Sequence, residues 1–291
     1  MQDYIVRAMA GNGAARVFAA VTTAMAEEAR TIHHMNPTPC AALGRVLTGV
    51  ALMSQTLKGD DHTITIQIRG DGPIGGILGV SDAKAGVRGY VHNPFFDVPL
   101  NDLGKFDIAR AVGKGYLNVI KDTGLKEPYV GCVDLVSGEI AEDLTYYYAY
   151  SEQIPTAMNL GVLIGAEGRV EAAGGFLIQL MPDAGEDVIT HLEETLKTFP
   201  PITNLIHEGK KPEDILQILF PDDSIQILAT TPAGYRCNCS RDRMERNLIS
   251  IGRDDLAEIA SDEKGAELQC HFCNKKYNFT QNELLSLLEN K

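Results

Sequence analysis

Cys237-Asn238-Cys239 and, after thirty further residues, Cys270-His271-Phe272-Cys273 decide how the last quarter of this 291-residue chain folds. Two close cysteine pairs brought together by a short intervening fold offer four thiolates to one ion. Zinc has no d-electron geometric preference and accepts four thiolates tetrahedrally, without histidine or carboxylate. The residues therefore predict one Zn2+ per chain in the reduced state, held by Cys237, Cys239, Cys270 and Cys273. His271 lies between two of these ligands, but the tetrahedron is complete without it.

Structural zinc ribbons mostly carry two residues between paired cysteines, whereas Asn238 alone separates the first pair. A disulfide closing so small a ring is strained and easily reduced, which suits a switch better than a permanent staple. Adjacency favours Cys237 with Cys239 and Cys270 with Cys273 as the oxidised bonds, and cross-pairing stays open. Bound zinc keeps the sulfurs as thiolates, the species that oxidants attack. Structural zinc in small finger peptides contributes about 10 to 16 kcal/mol of folding energy. A segment the size of residues 237–291 ordinarily holds only ~3 to 8 kcal/mol of net stability. Loss of the ion outweighs everything else in that tail. Bonds within each pair close tiny loops and restore little, so a locally unfolded tail is expected on oxidation.

With 44 percent hydrophobic residues, the chain can bury one large core and carry a smaller second unit. The start, Met1-Gln2-Asp3-Tyr4-Ile5-Val6-Arg7, lacks the basic opening and apolar run of a secretory leader. No uncharged stretch reaches the length of a membrane span. A cytoplasmic location and no membrane partner are expected. In that reducing compartment clustered cysteines read as a metal or redox site. Cys40 and Cys132 lie apart from the cluster and are expected to be small buried hydrophobes. Net charge is −13, and residues 237–291 carry eight basic and ten acidic side chains. Phosphate binding needs clustered Lys and Arg, so nucleic acid is not an expected partner.

The pattern along the chain predicts an α+β fold in three parts. Residues 1–181 form a strand-rich N-terminal core domain with packed helices. Thr63 to Arg69 alternates as Thr-Ile-Thr-Ile-Gln-Ile-Arg, and a second apolar run follows from Ile77 to Val80, which makes a hairpin. Leu43, Val46, Leu47, Val50, Met53 and Leu57 share one face of a helix predicted over Pro39–Leu57, with Thr38 as its cap. A glycine-rich turn at 165–168 leads into a strand over Val170–Leu180.

Residues 182–231 form a helical linker, with helices at Asp187–Phe199, Ile202–His207 and Pro212–Leu219. Ten acids against three bases and three short helices leave it dependent on docking. Residues 232–291 form the small zinc domain. Ser240 caps a helix to Ile251, Gly252 ends it, and Asp254 starts another to Ala260. A hairpin, Glu267–Gln269 with Lys276–Phe279, carries the second cysteine pair at its turn. Thr280 and Glu283 are spaced as a capping box before a leucine-rich helix.

Other chemistry fails on the residues. Gly70-Asp71-Gly72-Pro73-Ile74-Gly75 matches a dinucleotide pattern but joins two strands, where a phosphate site needs a helix start. No Gly-Lys-Ser or Gly-Lys-Thr and no Gly-x-Ser-x-Gly occurs, so neither a P-loop nor a hydrolase elbow is present. No catalytic residue and no enzymatic activity are expected. Two alternatives are a thiol-disulfide oxidoreductase working through Cys270 and Cys273, and a static zinc-stabilised adaptor.

The Cys-x-Cys and Cys-x-x-Cys pairs at the end of a chain of this length resemble the heat shock protein 33 family. So do Ala41-Ala42-Leu43-Gly44-Arg45, Gly70 to Gly75, Ala172-Ala173-Gly174-Gly175-Phe176 and Gln179-Leu180-Met181-Pro182, which spread the resemblance over nearly the whole length. It implies an ATP-independent holdase, inactive while reduced and zinc-bound. Oxidation with unfolding stress would activate it to hold unfolding clients, often as a homodimer. It also implies that the linker is metastable and helps to bind clients.

Overall fold

Alternation builds the sheets. Within Thr63–Gly70, Ile64, Ile66 and Ile68 are buried while Thr63, Thr65 and Gln67 are only partly so, the period-two mark of a strand with one face on a core. The structure, a computed structural model, describes residues 2–221 and 225–289. It divides into two units, residues 1–236 and 237–291. The first contains β1 (Tyr4–Ala10), β2 (Ala15–Val21), α1 (Thr23–His33), α2 (Pro37–Ser54), β3 (Thr63–Gly70), β4 (Ile77–Asp82) and β5 (Gly86–Val91). It continues through α3 (Ile108–Val112), β6 (Gly115–Asp122), β7 (Tyr129–Asp134), α4 (Ala141–Tyr147), β8 (Thr156–Ile164) and β9 (Val170–Leu180). Three helices follow, α5 (Glu186–Thr198), α6 (Ile202–His207) and α7 (Pro212–Leu219), then β10 (Gln226–Pro232) and β11 (Gly234–Tyr235).

The strands form a five-stranded antiparallel sheet, ordered β10-β1-β2-β9-β8, and a six-stranded sheet, ordered β11-β5-β4-β3-β6-β7. Within the second, only the short β11–β5 pair is parallel. Helix α2 touches β2, β8 and β9 of one sheet and β3, β4 and β5 of the other. Every α2 residue except Pro37 and Arg45 is buried, as expected of a helix apolar all round. Small residues permit this seat: a Cβ on Gly44 would stand 2.8 Å from Val162, and one on Gly79 would stand 2.7 Å from Val46. The helix starts and ends a little earlier than its apolar face predicts. Pro37 takes the first position, and the Thr38 N–H finds its acceptor in the distant Asp97 carboxylate at 2.9 Å. At the other end the Ser54 and Thr56 hydroxyls bond to carbonyls three residues back.

The outer face of the five-stranded sheet is covered by α5, α6 and α7. Val6, Val17, Ala19, Phe176 and Ile178 of the sheet meet Leu192, Ile202, Leu205, Ile206, Ile215, Leu216, Leu219 and Phe220 in one buried cluster. The three helices coincide with their sequence expectation to within a residue or so at each end. Their attachment is uneven. α6 and α7 each bury three or more side chains, whereas the thirteen residues of α5 bury only Leu192. A cleft of about 150 Å³ lies beneath α5, between Ile189, Leu192 and Leu196 and the sheet residues Ala157, Ile178 and Leu180.

Of the two isolated cysteines, Cys40 is buried in α2, where desolvation pushes its thiol up to about 12. Cys132 departs from expectation and is exposed. It lies on β7, an edge strand whose inward positions are Gly131 and Val133, so the alternation turns Cys132 to solvent. The Gly70 to Gly75 stretch joins β3 to β4 and packs backbone against backbone: a Cβ on Gly70 would stand 1.9 Å from the Val112 carbonyl. No helix among the described residues is long and apolar enough to cross a membrane.

The second unit contains α8 (Arg241–Ser250), α9 (Arg253–Ala260), β12 (Ala266–Gln269), β13 (Lys276–Phe279) and α10 (Gln281–Glu289). Its core is small: Met244, Leu248, Leu256, Ala260, Cys270, Tyr277, Phe279 and Leu284 are buried, with the other three clustered cysteines packed against them.

Candidate metal and redox centre

The four cysteines reach one point because two local structures present them. Cys237 and Cys239 precede α8, whose start is fixed by Ser240, its Oγ accepting from the Arg243 N–H at 3.2 Å. Cys270 and Cys273 occupy the turn between β12 and β13. There the Asn274 N–H donates to the Cys270 carbonyl at 2.8 Å and the Cys270 N–H to the Lys275 carbonyl at 3.0 Å. Asn274 adopts the left-handed conformation at φ 58°, which asparagine tolerates better than most residues. At the entry of the hairpin only glycine fits: Gly265 has φ +75°, and a Cβ there would lie 2.0 Å from the Phe279 carbonyl oxygen. The predicted capping box is present, with the Thr280 N–H bonded to Glu283 Oε2 at 2.8 Å and the Glu283 N–H to Thr280 Oγ1 at 3.4 Å.

The sulfurs of Cys237, Cys239, Cys270 and Cys273 all lie within 4.8 Å of one another. Cys237 and Cys270 are 3.7 Å apart, and Cys239 and Cys273 are 3.4 Å apart. Four thiolates about 2.3 Å from a central zinc ion would have edges near ~3.8 Å, so the donor set and its spacing fit a tetrahedral thiolate site. Cys270 is buried and the other three are partly exposed, open enough for a small oxidant to reach.

The thiols are unequal. Burial and the neighbouring sulfurs push Cys237 up, although the Cys239 N–H partly offsets this, and burial likewise raises Cys273. Burial also acts to raise Cys239, but hydrogen bonds from Tyr277 and then from the neighbouring cysteines prevail and bring it down to about 7. The Tyr277 hydroxyl donates to Cys239 Sγ at 3.1 Å. A second residue that spacing did not reveal is Arg241. Its guanidinium donates to the Asn278 carbonyl at 3.0 Å and to Glu283 Oε1 at 2.7 Å, and lies 4.3 Å from the Phe279 ring centroid. It thereby ties the first turn of α8 to β13 and α10. The inward alternation of Tyr277 and Phe279 is legible in the hairpin sequence, but their partners, roughly forty residues away, are not.

Similarity to known proteins extends over both units. A family model described as Hsp33 protein matches residues 3–280. A protein of Acetivibrio thermocellus named 33 kDa chaperonin is 54% identical over 289 residues, 99% of this chain and 98% of that one. One of the same name from Ruminiclostridium cellulolyticum is 55% identical over 289 residues, covering 99% of each. Among solved structures, that of the 33 kDa chaperonin (heat shock protein 33 homolog) of Thermotoga maritima superposes with a TM-score of 0.92 at 36% identity, covering 99% of this chain and 98% of the other. A match of this length and identity is decisive: the chain belongs to the Hsp33 family.

Proposed function

We propose that this protein is a redox-regulated, ATP-independent holdase, silent while Cys237, Cys239, Cys270 and Cys273 hold zinc. The observation that carries the reading is the convergence of four sulfurs within 4.8 Å of one another in a small tail whose described residues bury only eight side chains. The relatives' name supports chaperone activity. The ion would supply the bond that fixes the two cysteine-bearing turns together. Reaction of a thiolate pair with hydrogen peroxide forms one S–S bond, the pair giving up two electrons while the peroxide O–O bond breaks and its two oxygens, with two protons taken from solvent, leave as two waters. After two such reactions no thiolate ligand remains.

Pairing decides the consequence. Bonds across the pairs, such as Cys237 with Cys270, would close loops of about 34 residues and stabilise the tail by ~4 kcal/mol. Bonds within the pairs close rings too small to substitute for the metal. The proposal assigns Cys237–Cys239 and Cys270–Cys273, which leave the tail without a keystone. Segment 182–231 is then the metastable linker: α5, held by Leu192 and undercut by a cleft, is the first helix to lift from the sheet. Ile189, Leu192, Leu196 and Phe199, together with the sheet face beneath, become apolar surface for unfolding clients. Action in the cytoplasm and as a homodimer when active belongs to the same reading. Turnover by Cys270 and Cys273 as an oxidoreductase is disfavoured by the burial of Cys270.

The test compares reduced and peroxide-treated protein, following zinc release colorimetrically and aggregation of a heat-unfolding client by light scattering. Suppression that rises with zinc release supports the holdase. Full release with unchanged client aggregation would count against it.

A further inference from the structure

We infer that the outer edge of β1 is a client-binding site, where an extended, uncharged segment of an unfolding polypeptide replaces β10 as a sheet strand. The inference rests on the reading that segment 182–231 lets go on oxidation. It differs from that reading in the kind of contact, which is main-chain pairing along an edge rather than apolar packing on a face.

β10 shows how such an occupant sits. It pairs antiparallel with β1 from Tyr4↔Pro232 to Met9↔Gln226, with a register shift at Arg7/Ala8. None of its seven residues is buried, and Ile227 and Leu228 stand 51% and 45% exposed. Side-chain packing therefore does not select β10. Backbone hydrogen bonds hold it, and these any extended chain without an interrupting proline can supply. The resident strand, Gln226-Ile227-Leu228-Ala229-Thr230-Thr231-Pro232, carries no charge and is rich in strand-forming residues, which defines the class of segment that fits.

β1 itself stays in place when β10 leaves. Ile5, Val6, Ala8 and Ala10 are buried, and β2 pairs with the opposite edge over seven register positions from Tyr4↔Val21 to Ala10↔Ala15. Departure of β10 leaves a fixed strand with one open row of N–H and C=O groups, the template on which an extended chain adds by augmentation. β10 follows α7 after six residues and ends five residues before Cys237, so the strand guarding the edge lies, but for Pro232, in the segment that the switch is proposed to release.

The test is residue-resolved amide exchange by NMR on the full chain, reduced, oxidised, and oxidised in complex with heat-unfolding citrate synthase, with light scattering read on the same sample. Those β1 amides that face β10 should exchange at least about tenfold faster on oxidation and regain protection in the complex. The alternate β1 amides, facing β2, should stay slow throughout. Suppressed aggregation with the β10-facing amides slow in every state, or open in the complex, overturns the edge site while leaving the holdase intact. Re-protection on concentrating oxidised protein without client overturns it in favour of a second copy. Absence of suppression removes the holdase reading, and the edge site with it.

Discussion

Against the upward pull of burial, hydrogen bonds from Tyr277 and the neighbouring cysteines bring Cys239 down to about 7, while burial pushes Cys237 and Cys273 upward. Ligands bind zinc as thiolates, so protons compete with the metal. As pH falls through 7 Cys239 also becomes protonated, more protons must leave on binding, and affinity drops. The apparent zinc affinity, measured by chelator competition, should fall more than about tenfold from pH 8 to pH 6. Replacing one ligand, Cys239→Ser, should leave a tail that is unfolded under reducing conditions, visible as loss of its dispersed NMR signals, with client binding independent of peroxide. The convergence of the four cysteines was legible because the spacing within each pair is a local property of sequence. Asp143 was not: its buried carboxylate accepts from the N–H groups of Val136, Ser137, Gly138 and Ile140, an arrangement visible only once the loop has closed around it. Exposure of Cys132 was misjudged for a related reason, since nothing local marks β7 as an edge.

Among elements, α5 and α8 are where the proposed switch is adjustable. Leu192→Ala removes the sole buried anchor of α5, a loss of about 2 to 4 kcal/mol for a buried leucine. Reduced, zinc-loaded Leu192→Ala should then suppress client aggregation partially without any oxidant, with zinc content unchanged. Arg241→Ala severs the links from α8 to β13 and α10. Exposed ion pairs contribute little, but the ring contact and the carbonyl bond bring the expected cost to about 1 to 2 kcal/mol. Its tail should unfold at a lower temperature in metal-free protein, and activation by peroxide with heat should have a shorter lag. Helices α5 to α7 were legible because prolines and apolar periodicity punctuate them in sequence. The strands β10 and β11 were not foreseen. β10, an edge strand held by its backbone with no buried side chain, leaves no alternation to detect, and the two residues of β11 are too few to show any.

For the whole molecule, the division at Arg236/Cys237 puts the large buried cores in one unit and the four sulfurs in the other. Length, hydrophobic fraction and the cysteine pairs were enough to anticipate an α+β core followed by a small cysteine-bearing domain. The sandwiching of α2 between two sheets was beyond them, since it depends on long-range strand order and on close approaches at Gly44 and Gly79. The central claim concerns the smaller unit: its fold is held by the metal and is lost once the sulfurs pair within Cys237–Cys239 and Cys270–Cys273. The most direct measurement is amide exchange across residues 237–289 in protein stripped of zinc and fully oxidised, with disulfides mapped on the same sample. The account predicts within-pair bonds and protection in α8 to α10 reduced to that of an unfolded chain. Protection equal to that of the reduced, zinc-loaded protein would contradict it.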